Sequence, residues 1–586
     1  MIVSVLFIIF IFSFNLQSQT DFTTHFEKSK FLSTPDYQAT VEYFKMLDDN
    51  SEYADLFDFG ISSQFRELKC LLVTKEDKKI IEFNLSNGFK PTQRPLILII
   101  NGIHSGEIEG KDASMILLRE ILISKEKEYL LDSLSLLIIP IFNVDGHERK
   151  SKYNRINQNG PEEMGWRTTA LNLNLNRDWM KADSPEMQAM LTLFQTWLPD
   201  FIIDTHTTNG ADYQYEVTYQ VEKYDNIFSE ISAFLNNKFV PFLKSEVEKK
   251  GYPIFEYVSL KEWNKGLEYG LIDWVTPPRL STGYFALQNR PSLLVETHMI
   301  KPYKNRVFST KAVLETTLEF IFNHSTEIIE LNYLADELTL KIYIDNPNFF
   351  PLKFQLTEKY DEVDFKGYEY YREYSEISGT DKIVYTNKPK NFKLKFYKYH
   401  KIIDSVLIPK YYIVPIEYFD LIKKMELHGI RALTINNDTT LEVKRYRFNN
   451  IKFADKPYEG RFIPSFDIEE YYERVDLPKG TFIIPTEQRT LRVIAHLLEP
   501  GSDDSFIKWG FMNSIFEQKE YFEFYVMEKI ADEMLKEDKK IKEEFEYKIR
   551  TDKEFKNNPY QRLNFFYKKS PYWDKNLNVY PIMKLK

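Results

Sequence analysis

The sequence predicts an α/β protein with a mixed, mostly parallel sheet flanked by helices, followed by a β-rich C-terminal module and a helical end. Three observations carry this. Apolar runs of strand length recur through the first half, at 95–100, 134–142, 201–206 and 291–296. Helical periodicities near 107–123, 184–197 and 226–250 separate them. After about residue 335 the texture changes to short alternating segments at 338–344, 352–356, 382–386 and 392–397, and then to a charged helical stretch over 517–556.

A chain of 586 residues is too long for one ordinary core. Its formal charge of −10 leaves no electrostatic footprint for nucleic acid. Residues 2–14 are almost wholly apolar, short of the roughly 20 a spanning helix needs, and a polar stretch follows at 15–20. This reads as a signal peptide over 1–19, a secreted or periplasmic product, and no stable membrane span after cleavage. The sole cysteine, Cys70, lies in the apolar run 68–73 and is expected in the core, since it has no partner within the chain. Residues 20–65 are expected to be helical, with strands at 67–74, 79–85 and 95–101. The polar connection 143–178 is longer than ordinary loops, and such loops are usually functional. The expected limits are 20–335 for the first domain and 336–586 for the accessory region.

The strand at 95–101 runs into Asn101-Gly102-Ile103-His104-Ser105-Gly106-Glu107, and a helical pattern begins near Glu107. His104 and Glu107 thus stand three residues apart at a strand-to-helix junction. An imidazole nitrogen and a carboxylate oxygen so placed suit zinc. A catalytic zinc takes a third protein ligand and keeps one position open. His206, in Asp204-Thr205-His206-Thr207-Thr208 at the end of another strand, is the candidate. Most of the other histidines lack a carboxylate or strand-end context. A hydrolytic site also needs a base that is not a ligand. Glu296 closes the apolar run 291–296, where burying a carboxylate costs several kcal/mol unless it is paired or used. The long loop supplies cations at Trp166-Arg167 and Asn176-Arg177, and arginine suits a carboxylate or an oxyanion.

In this order, the motifs over about 60–310 resemble those of the zinc carboxypeptidase (funnelin) family. The resemblance implies zinc, one per chain, on His104, Glu107 and His206. It implies Glu296 as general base, Arg167 as oxyanion support, and Asn176 with Arg177 as the clamp on a substrate's terminal carboxylate. The family's Asn-x-Asp-Gly turn falls on Asn143-Val144-Asp145-Gly146. The candidate for its closing tyrosine is Tyr284. The long form with a C-terminal extension resembles secreted bacterial members. Two positions depart from the pattern. Gly106 stands where carboxypeptidase A-like members carry an arginine, so one cationic contact is expected to be missing. Asn174 replaces the aspartate that orients a ligand histidine, which makes that support neutral and weaker. The implied activity is hydrolysis of peptide bonds in peptide or protein substrates, most simply as a carboxypeptidase. Two alternatives stay open: a zinc amidohydrolase of the aspartoacylase or succinylglutamate desuccinylase kind, and a non-catalytic peptide-binding protein on the same fold.

Overall fold

The computed structural model describes residues 20–208, 210–263, 265–345 and 348–585. The expected signal peptide lies outside them. Its centre is an eight-stranded mixed sheet. In chain order the strands are β1 (Ala54–Ile61), β2 (Glu67–Val73), β3 (Leu96–Asn101), β4 (Ser135–Ile139), β5 (Phe201–Thr208), β6 (Val217–Gln220), β7 (Ile254–Glu256) and β8 (Ser292–His298). They lie in the order β1-β2-β4-β3-β5-β8-β6-β7. The central strands β4, β3, β5 and β8 are parallel, and β1, β2 and the β6–β8 contact bring in antiparallel pairing.

The apolar runs are continuous because both faces of the sheet are covered. Along β3, Ile97 and Ile99 enter one core, which includes helix Tyr303–Asn323. Leu96, Leu98 and Ile100 enter the other, with Met187 and Phe194 of helix Pro185–Trp197. Cys70 is fully buried in that second core. The connection from β3 leads to β4 on one side, and the connection from β4 crosses back to β5 on the other. Between the carboxyl ends of β3 and β5 the chain therefore opens a crevice, the place where α/β sheets accept ligands.

Three local expectations differ from the structure. Residues 79–85 are not a strand but lie in helix Lys78–Ser86, capped by Asp77, whose side chain accepts from Lys79 N. Only Ile81 of that helix is buried, so its apolar residues could not identify a face. The end of the expected helical region 20–65 is β1, an edge strand pairing with β2. Residues 338–344 are helical too, continuing Ser325–Leu340 through Asp345. Asn289 anchors that helix by donating to Ala335 O at 3.2 Å and Thr339 Oγ1 at 3.1 Å.

The C-terminal region is β-rich as expected. Two long antiparallel hairpins pair Tyr360–Ser375 with Thr380–Tyr397 and Thr439–Phe453 with Pro464–Leu477. Its apolar residues Tyr412, Val414, Met425 and Phe448 share one core with β3 and the helix Pro185–Trp197. No helix of the described residues is long and apolar enough to cross a membrane.

Candidate metal centre and its cleft

His104 follows the end of β3, Glu107 closes the turn that His104 opens, with its N–H donating to His104 O at 2.8 Å, and His206 stands on β5 in register with Glu296 on β8. Their donor atoms lie within 4.8 Å of one another, and among the described residues they are the one group that could hold a metal ion. The Nδ1 atoms of His104 and His206 both face Glu107 Oε2, at 3.1 and 3.0 Å. Each ring turns Nε2 the other way, His104 to Asn174 Oδ1 at 3.0 Å and His206 to Asp204 Oδ2 at 2.9 Å. Outer acceptors of this kind hold the proton on Nε2 and leave the Nδ1 lone pair for a cation. Two neutral imidazole nitrogens and a carboxylate are a donor set that zinc accepts.

The two outer partners differ, and the histidines differ with them. Burial lowers the pKa of His104 to about 4, against the opposing pull of Glu107. For His206 burial acts in the same direction, but the Asp204 carboxylate outweighs it and holds the ring well above its usual value. Burial would raise Glu107, yet His104 and Arg155 keep it well below the carboxylate range. Glu296 keeps part of its surface open to the cleft but is otherwise enclosed. Burial and the neighbouring Glu107 push its pKa up to about 8, against the pull of His206.

A cleft of about 210 Å³ opens beside these groups, walled by Arg155, Arg167, Asn176, Arg177, Tyr257 and Glu296 among others. Asn176 and Arg177 lie in a short turn, Leu175–Arg177, capped by the side chain of Asn174. Asn176 Oδ1 accepts from Ser281 N at 2.9 Å, so its NH2 group is the end it can offer a ligand. Arg177 Nη1 donates to Asn176 O at 2.6 Å, and Arg167 Nη1 to Glu107 Oε1 at 3.2 Å. The turn Asn143–Gly146 sits beneath the motif, where Asn143 O accepts from Ser105 Oγ at 2.6 Å.

One anticipated residue is elsewhere. Tyr284 is fully buried, stacked on Trp179, with its hydroxyl between His428 Nδ1 at 3.0 Å and Gln288 Nε2 at 2.8 Å. It packs on the sheet face shared with the C-terminal region and does not line the cleft; Tyr257 does. The cation expected to be missing at position 106 is also supplied from elsewhere. Arg155 pairs with Glu107 from the long loop, and a Cβ at Gly106 would stand 2.5 Å from Arg155 Cγ. Glycine at 106 makes room for that arginine. Glu109 is a further residue whose place pattern alone could not reveal. Its Oε1 accepts from Thr207 of β5 and from Thr297 of β8, the latter at 2.6 Å, and so ties together the strand ends that carry His206 and Glu296.

The fold and this donor set define an α/β protein with a buried site that could hold a metal ion at the carboxyl ends of its central strands. Residues 40–276 match the family model described as Zinc carboxypeptidase. Glu296 lies beyond the matched residues. Carboxypeptidase 2 of Trichophyton rubrum is 20% identical over 435 residues, covering 72% of this chain and 74% of the relative. Carboxypeptidase 2 of Trichophyton equinum is 20% identical over 437 residues, covering 72% and 75%. Among solved structures, a metallo-carboxypeptidase from Burkholderia cenocepacia aligns at a TM-score of 0.37 and 15% identity, over 49% of this chain and 70% of that one.

Proposed function

We propose that the protein is a secreted zinc carboxypeptidase whose chemistry rests on His104, Glu107, His206, Glu296, Arg167, Asn176 and Arg177, carried by residues 20–335. The observation behind this reading is the convergence of three buried ligand atoms with three arginines and one enclosed carboxylate on a single cleft. One zinc, held by His104, Glu107 and His206, would supply a Lewis acid for the scissile carbonyl and for a water. Glu296 takes the proton of the attacking water and returns it to the leaving amine. Arg167 stabilises the negative charge that develops on the carbonyl oxygen. The Asn176 amide and the Arg177 fork hold the terminal carboxylate, which positions the last peptide bond over the ligands.

The test compares peptides with free and amidated C-termini. Truncating one partner of a desolvated Arg–carboxylate pair costs on the order of 2–5 kcal/mol, part of it the orphaned charge. Arg177→Ala is therefore expected to lower kcat/KM on free peptides by roughly one to three powers of ten and to change little on amidated ones. Wild type should process amidated peptides poorly. Equal cleavage of both would sink the carboxypeptidase reading while leaving a zinc hydrolase. Secretion rests on the apolar stretch 2–14 and predicts a mature chain starting close to Gln19 or Thr20, read by N-terminal sequencing. An intact Met1 end in a membrane fraction would refute it.

A further inference from the structure

The turn at residues 458–461 adopts a backbone that its sequence resists. Tyr458 and Arg461 exchange backbone hydrogen bonds of 2.9 and 3.0 Å, and between them Glu459 and Gly460 have φ of 48° and 77°. Positive φ at both central residues favours Asn-Gly or Asp-Gly, and a longer side chain is strained there. Gly460 meets the demand and Glu459 does not. Strain of this kind persists where surrounding contacts hold it, and it clusters at functional sites.

The contact that holds it is specific. Glu459 Oε2 accepts a 2.9 Å hydrogen bond from the backbone N–H of Asn174, in the catalytic loop 285 residues earlier. Asn174 Oδ1 in turn faces His104 Nε2 at 3.0 Å and accepts from Asn176 N at 3.0 Å. One residue thus links the hairpin tip to a ligand histidine and to the start of the turn that carries Asn176 and Arg177. The same tip grips the chain just ahead of helix Pro185–Trp197. Arg461 donates twice to Asp183, at 2.7 Å each, while its guanidinium lies 3.6 Å over the Phe511 ring.

We propose that Glu459 is a positioning residue for the metal centre, acting through Asn174, and that the C-terminal module is by this contact part of the catalytic unit. The proposal rests on the zinc reading above. A carboxylate on the Asn174 N–H fixes the backbone from which the Asn174 amide reaches His104, and so fixes the direction of the His104 lone pair. Asn174 is a neutral partner, weaker than the carboxylate behind His206, so its placement leaves less margin.

The decisive variant is Glu459→Gly in the full chain, because glycine takes the positive φ without strain while removing the carboxylate. The melting temperature of the metal-free protein should hold or rise, while zinc affinity, measured by chelator competition, falls roughly tenfold. Glu459→Gln keeps an acceptor oxygen and should retain most of the wild-type affinity. Asn174→Ala should lose affinity at least as strongly, and adding Glu459→Gly to it should cost nothing more, since the path runs through Asn174. Wild-type zinc affinity in Glu459→Gly overturns the proposal. So does a loss that tracks a lowered melting temperature and is not restored by glutamine, which marks a packing role only. If wild type itself binds no zinc, the functional reading falls first; if wild type binds and Glu459→Gly binds equally, only this inference falls.

Discussion

Replacing Glu296 by glutamine is expected to leave zinc bound and to lower kcat by roughly two to four powers of ten. Glu296 sits on β8 beside His206 and faces the cleft without joining the ligand group. Its enclosure, with Glu107 nearby, pushes the pKa up to about 8 when no cation is present. A divalent cation on the three ligands supplies the opposite charge and draws the pKa back toward the range of a working base. Glutamine preserves size and hydrogen bonding but cannot accept a proton. Zinc content and steady-state kinetics on one peptide decide the matter. Loss of zinc together with activity would show that Glu296 supports the metal instead.

His104→Ala or His206→Ala is expected to remove zinc and bring activity to background. Either change leaves two of the three groups that could hold the ion. The histidines should also reveal themselves through pH. His104 is already neutral at pH 7, whereas Asp204 keeps a proton on His206. With Nε2–H held by Asp204, a metal ion at Nδ1 requires the second proton of the His206 imidazolium to leave, so wild-type affinity should weaken as the pH is lowered and binding should release protons. Competition titrations at several pH values check this. A fully active preparation free of metal would end the zinc reading.

Most of the residues that the structure brings together at the cleft could be named before the fold was known, because they lie in short motifs. His104 and Glu107 share one turn, and His206 and Glu296 each close an apolar run. Such runs are legible when both faces of a sheet are covered, as along β3. Where one face is exposed or periods are short, the reading failed. The helix Lys78–Ser86 buries a single residue, and 338–344 alternates in sequence yet prolongs a helix. Tyr284 matched a pattern, but its helix packs against Trp179 and places the ring in the core.

The sequence alone determined the candidate ligand types, their order along the chain and the α/β alternation, since each depends on neighbours within a few residues. Only the tertiary structure decided which distant groups meet. Arg155 fills the space left at Gly106, Tyr257 instead of Tyr284 faces the cleft, and His104 and His206 receive partners of different charge. Glu459 reaches Asn174 from 285 residues further along the chain. These meetings follow from strand order and from the packing of the C-terminal region on the sheet, neither of which a local pattern records.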